Sequence, residues 1–151
     1  LDLPDDTTAD VDWLTGACIM VPRSTWEAIG GMDEGYFMYS EELDWCRRIK
    51  ESGRRVVYHP AAQVIHHVGK SSEQAATARH INFNRAKLRY FRKYHGRFPA
   101  AVLRVFLLAG YAWQMALEGF KGLLGSKPDL RRQRIRAYSE VLKSGLRPAG
   151  Y

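Results

Sequence analysis

An α/β fold followed by a basic helical tail is predicted for this chain from three observations. Short apolar runs bounded by Gly or Pro alternate with helix-start signals up to residue 66, which argues helices interleaved with strands rather than an all-helical domain. Capping patterns recur at Ser24 and Ser40 and mark where two helices of that alternation begin. The charge then changes sign: residues 1–72 hold 7 Lys+Arg against 12 Asp+Glu, a net of −5, whereas residues 73–151 hold 16 against 4, a net of +12. The two halves therefore do different work.

The elements follow in order. Residues 15–21 form a short apolar run beside Gly16 and read as a buried strand ending near Pro22. Ser24 and Glu27 have the S-x-x-E spacing of a capping box, opening a short helix that Gly30 and Gly31 terminate. A second helix is expected over residues 41–52, with the Ser40 hydroxyl as its cap, Gly53 at its end and Trp45, Cys46 and Ile49 on its apolar face. Residues 56–58 read as a strand, Pro60 as a break, and residues 62–65 as a last short strand delivering His66. In the basic half, Ser71 and Gln74 have capping-box spacing for a helix running toward Tyr94, and Pro99 is expected to begin the next. Residues 105–117 carry no charge, but thirteen residues fall short of the about twenty needed to cross a bilayer. On a helical wheel Arg104, Tyr111, Gln114, Glu118 and Lys121 share one stripe, so this helix either packs on the domain or lies in a membrane interface. A final helix over residues 129–144 is expected to pair back on it through the turn at residues 122–128.

Composition excludes several classes. A chain of 151 residues with 46% hydrophobic content can bury a core, so one domain with an appendage is expected. It opens on Leu1 within an acidic stretch, which reads as a segment of a longer polypeptide. Two cysteines, Cys18 and Cys46, imply no disulfide framework and a reducing compartment. There is no H-E-x-x-H, no paired C-x-x-C and no P-loop, which argues against zinc and Walker-type nucleotide chemistry. The basic tail suits an anionic partner, but the acids of the first half would repel a phosphate backbone and no nucleic-acid-reading motif is present, so no nucleic acid is expected.

The chemistry-bearing residues lie between residues 30 and 72. Glu41 and Glu42 fall in a first helical turn, where free N–H groups and the macrodipole favour an anion. Such a carboxylate in a cleft takes a proton from an incoming hydroxyl as a general base; the plainer alternative is that the pair only stabilises the helix. Asp44 precedes Arg47 and Arg48 by three and four residues, a spacing that equally fits a surface ion pair. His66 and His67 follow the expected strand, one turned inward; an inward His is either a hydrogen-bonded core residue or, with carboxylates beside it, a metal ligand.

Taken together, Thr15, Gly16 and Ala17, Arg23, the run 30–34 (Gly, Gly, Met, Asp, Glu), the run 36–39 (Tyr, Phe, Met, Tyr), the run 41–44 (Glu, Glu, Leu, Asp), Arg47, Gly53, the run 60–62 (Pro, Ala, Ala), His66, Gly69 and Ser71 resemble the C-terminal half of a family 2 glycosyltransferase, closest to bacterial rhamnosyltransferase-like members. The basic-aromatic stretch 82–96 resembles that family's tail, so the similarity covers residues 13–97 at most. It implies a GT-A fold, Rossmann-like, with a donor-binding half and an Asp-x-Asp metal site that this sequence does not contain. It implies an acceptor and catalytic half at residues 1–72 and a basic-aromatic helix at 73–98 completing the domain; the residues beyond read, from their own pattern, as an amphipathic helical tail at 99–151.

Residue roles come from the same resemblance. The second acid of the helix-start pair is the catalytic base and matches Glu42, where the family usually has Asp; Glu41 is a secondary candidate and Asp44 a supporting one. His66 matches a position used as a metal ligand or diphosphate contact, for Mg2+ or Mn2+ in the full-length enzyme. Asp33 and Glu34 resemble residues that shape acceptor binding, and Trp13 offers a stacking face, with core packing the favoured alternative. The implied reaction is an inverting transfer of a sugar, rhamnose among the candidates, from a nucleotide-diphosphate donor to a hydroxyl of a glycan or lipid-linked acceptor. The chain alone is expected to be inactive, and pairing with another copy, a homo-oligomer, is one way for such a half to stay folded. A cytoplasmic location is expected, with the tail docked peripherally on the inner leaflet where lipid-linked acceptors are presented. A helical hairpin packed on the domain with a solvated basic face, or a non-catalytic membrane- or nucleic-acid-binding module, are the alternatives.

Overall fold

The computed structural model describes residues 6–66, 76–123, 125 and 127–147. The chain divides into two compact units, Leu1–Val68 and Gly69–Tyr151.

The first unit is built around one helix. Strand β1 (Ala9–Asp10) pairs antiparallel with β2 (Val57–Tyr58), Ala9 opposite Tyr58 and Asp10 opposite Val57, and the ladder continues where Val11 N–H donates to the Val56 carbonyl at 3.0 Å. Helix α1 (Arg23–Ile29) forms where expected, but Ser24 makes no cap. The Pro22 carbonyl accepts from the Thr25 and Trp26 N–H groups, and Glu27 turns outward to Arg23 at 2.8 Å, so the capping box is absent. Gly30, at φ 76°, ends α1 in a backbone region that residues with a Cβ avoid. Helix α2 (Glu41–Glu51) buries Trp45, Cys46 and Ile49 against Val56, with Val11, Leu14, Ile19, Val21 and Ile29 packed around them. Trp26 meets Trp45 edge-on, ring centroids 5.7 Å apart.

Two expected strands do not form. Residues 15–21 and 62–66 are coil and turn, because a strand is stable only when a neighbour accepts its ladder hydrogen bonds and the described residues offer one two-residue pair. Ile19 and Val21 still pack on the α2 core; Met20 is 96% exposed. The run thus places only Ile19 and Val21 against the core, while Thr15, Gly16, Ala17 and Cys18 are exposed, so the expected burial fails along with the pairing. Among the described residues this unit is mostly helix and coil with a small sheet, less sheet than a Rossmann-like reading of the alternation implies.

Among the described residues the second unit is three helices. α3 (Ala76–His95) and α4 (Arg97–Leu123) are separated by Gly96 at φ 92°, and α5 (Pro128–Ser144) follows. The Ser71 and Gln74 cap falls outside the described residues. α4 begins two residues before Pro99, which sits in the first turn, where an intrahelical N–H is not required. Leu88, Val141 and Leu146 make the buried centre, flanked by Ile81, Leu103, Leu107, Leu108 and Tyr111.

α4 is longer than its uncharged segment: 27 residues, about 40 Å at 1.5 Å per residue. Its most apolar window has a mean hydropathy of 1.5, so by length and composition alone it could cross a membrane. Its polar stripe points inward. Arg104 Nε donates to the Gly145 carbonyl at the end of α5 (2.7 Å), Tyr111 Oη accepts from Asn84 Nδ2 (2.9 Å) and lies 3.2 Å from His80 Nδ1, and Glu118 binds Arg131 (2.5 Å) and Arg134 (3.1 Å). The apolar face is left outside.

Candidate active site at the start of helix α2

The site is set by an irregular backbone. Tyr39 and Ser40 both have positive φ, 74° and 65°, a left-handed conformation that costs a residue with a Cβ of the order of 1 kcal/mol. Ser40, in this conformation, makes no side-chain cap, contrary to the expected one, while its carbonyl accepts from the Asp44 N–H at 3.0 Å. The chain enters α2 through a sharp corner that delivers Glu41 and Glu42 at the first turn, beside N–H groups with no intrahelical partner.

Neither glutamate is splayed into solvent. Both are partly buried, and each has a fully buried Oε2 with no hydrogen-bond partner among the described residues. Burial pushes the Glu42 carboxyl above its ordinary value of 4.5; the N–H groups of Glu42 itself and Leu43 oppose that, and the charge of Glu41 adds to it. A carboxylate that served only the helix start would ionise more readily than in water. Glu42 ionises less readily. The turn at Gly16 runs alongside it: a Cβ at Gly16 would stand 3.7 Å from the Glu42 Cβ and 3.9 Å from its carboxyl carbon, so the Thr15, Gly16 and Ala17 segment walls the acid on one side. Cys46, one turn further on, is buried, and burial pushes its thiol up with help from the Glu42 charge.

Asp44 is not a surface ion pair. It is fully buried, its Oδ2 accepting from Arg48 Nε at 2.9 Å and its Oδ1 from the Tyr36 hydroxyl at 3.4 Å. The same guanidinium donates to the Ile29 carbonyl (2.8 Å) and the Gly31 carbonyl (2.7 Å), while Trp45 Nε1 donates to the Gly30 carbonyl (3.0 Å). Asp44 and Arg48 thus fasten the end of α1 to α2, and Tyr36 ties in the following turn. Within that turn Asp33 Oδ1 accepts the Gly35 N–H at 2.9 Å and its carbonyl the Tyr36 N–H at 3.0 Å, leaving Glu34 exposed at the tip.

The remaining candidates stand apart. Trp13 is 48% exposed, against the favoured core packing. His66 is exposed coil and not the end of a strand; His67 lies outside the described residues. Among the described residues no three His, Cys, Asp or Glu side chains come together as a metal centre.

Sequence reasoning missed the strained corner at Tyr39 and Ser40 and the clamp through Arg48. The first carries no residue-type signal, since Tyr and Ser are not turn formers that favour positive φ. The second was half visible in the four-residue spacing to Asp44, but its carbonyl partners are remote in sequence. Exposed Phe37 and Met38, just before the corner, had no role assigned either.

A family model described as glycosyltransferase like family 2 matches residues 5–85. An N-acetylglucosaminyl-diphospho-decaprenol L-rhamnosyltransferase of Mycobacterium tuberculosis is 45% identical over 62 residues, 41% of this chain and 20% of the relative. The rhamnosyltransferase WbbL of Escherichia coli is 42% identical over 57 residues, 38% of this chain and 22% of the relative. The low-salt glycan biosynthesis hexosyltransferase Agl10 of Haloferax volcanii is 34% identical over 56 residues, 37% of this chain and 18% of the relative. The chain spans about a fifth of the length of these curated relatives. No solved structure matches.

Proposed function

The chain belongs to glycosyltransferase like family 2, and we propose that it forms the acceptor side of an inverting sugar transferase whose general base is Glu42. The observation that carries this reading is the buried, unpartnered Glu42 oxygen at the strained start of α2, on an acid that burial makes more basic than an ordinary glutamate. A base works better as its pKa rises toward the operating pH and when its oxygen can accept a proton; burial moves Glu42 in that direction, and its Oε2 has no partner among the described residues.

The acceptor hydroxyl would lie against Glu42, lose its proton to the carboxylate as its oxygen attacks the anomeric carbon, and the nucleoside diphosphate would leave from the opposite face. Glu41 keeps the pair electronegative, and the Asp44 and Arg48 clamp holds the corner to hydrogen-bond accuracy. Asp33, Glu34 and Trp13 are the proposed acceptor contacts. Rhamnose as the sugar and a diphospho-polyprenol-linked sugar as the acceptor follow the names of the relatives, and a nucleotide-diphosphate donor and a cytoplasmic location follow the family resemblance. Members of the family generally use a divalent ion, with Mg2+ or Mn2+ our candidates; the described residues form no centre for it, and no step above passes through one.

The test is sugar transfer by the protein that carries this chain. Glu42→Gln should lower kcat/KM by about 10²–10⁴-fold while donor binding persists, and the acid limb of the wild-type pH profile should lie above 4.5. Unchanged turnover in Glu42→Gln rejects Glu42 as the base.

A further inference from the structure

The outer face of α4 goes beyond the transferase reading. Phe98, Val102, Phe106, Trp113, Phe120 and Leu123 fall within an arc of about 100° at 100° per residue, on the side of the helix opposite Arg104, Tyr111 and Glu118. All six are exposed, Phe106 by 74% and Trp113 by 67%. The helix cannot roll to hide them. Turning it would break the Arg104 bond to the end of α5, the bonds of Tyr111 to Asn84 and His80, and the two arginine pairs of Glu118, leaving these groups unpaired, buried Asn84 and Glu118 among them. A soluble surface rarely keeps an apolar stripe about 40 Å long.

We propose that this face of α4 lies in the surface of an anionic lipid bilayer, with the helix parallel to the membrane plane. Charge selects the occupant. Residues 73–151 carry 16 Lys+Arg against 4 Asp+Glu; exposed Arg92, Lys93 and Arg97 stand at the start of the stripe, and Lys121 and Lys127 near its end. A second copy of the chain would bring the same excess of positive charge to the interface and be repelled, whereas anionic headgroups are attracted while the acyl region takes the aromatic side chains. The inward polar stripe, held by α3 and α5, favours lying on the bilayer over crossing it, despite sufficient length.

Vesicle flotation of the whole chain tests this without any turnover, so its failure is separate from failure of the transferase reading. Phosphatidylcholine vesicles with about 30% phosphatidylglycerol should float at least ~10-fold more protein than phosphatidylcholine alone. Phe106→Glu with Trp113→Glu should reduce flotation by ~10-fold or more with unchanged circular dichroism and Tm. Brominated acyl chains should quench Trp emission of the wild-type chain, and Trp113→Phe, which keeps the packing, should still float while losing most of that quenching. Absence of flotation, equal quenching in both proteins, or a concentration-dependent oligomer that vesicles leave intact and the double variant abolishes would overturn the proposal.

Discussion

Glu42 in the acidic unit and Glu118 in the basic unit are both helical glutamates withdrawn from water, and their environments are opposite. Glu118 has Arg131 on one oxygen and Arg134 on the other, and the Arg131 hydrogen bond leads in holding its carboxyl below the ordinary range. Among the described residues Glu42 has no cation partner and a buried oxygen without a hydrogen bond, and burial raises its carboxyl. Proteins rarely leave a buried acceptor unsatisfied without a use for it. The paired acid is architecture; the unpaired one is the base of the proposed transfer.

The largest expected effect lies in the third buried acid. Asp44→Ala should cost about 3 kcal/mol in denaturant titration, because it strands the Arg48 guanidinium between α1 and α2. A cost under about 1 kcal/mol would return the pair to the surface-bridge class. The comparison of glutamates then predicts opposite signs. Glu118→Gln should lower Tm at pH 7, whereas Glu42→Gln should raise it. The sign for Glu42 follows from its raised folded pKa: its contribution is fully present below the unfolded value and lost as pH rises through the folded one. The advantage of Glu42→Gln should therefore grow as pH climbs past 4.5 and vanish well below it. Thermal melts at several pH values check both, and the same sign for the two variants would erase the distinction. Smallest is Ser24→Ala, expected within about 0.5 kcal/mol because Ser24 caps nothing; a loss near 1 kcal/mol in the same titration would mean that a cap exists in solution.

How far the chain could be read depends on the range of the forces involved. Helix positions were legible, since Gly stops and the Trp45, Cys46 and Ile49 spacing are local, although neither Ser24 nor Ser40 makes the expected cap, and so was the pairing of α5 back on α4. The strands at residues 15–21 and 62–65 were not, because a strand exists only with its partner and those partners are not supplied among the described residues. For the site, the two acids at a helix start were visible as residue types at a spacing. Whether they were solvated or sequestered was not.

The amino-acid order by itself determined the helix starts, the division of charge between the halves and the family-typical run around Glu41 and Glu42, all carried by neighbours within a few residues. Tertiary structure alone decided that Asp44 is buried, that Glu42 is desolvated, and that α4 turns its polar stripe inward. Those outcomes depend on which remote groups, the Ile29 and Gly31 carbonyls, the Gly16 turn and the end of α5, come to fill the other side of each contact.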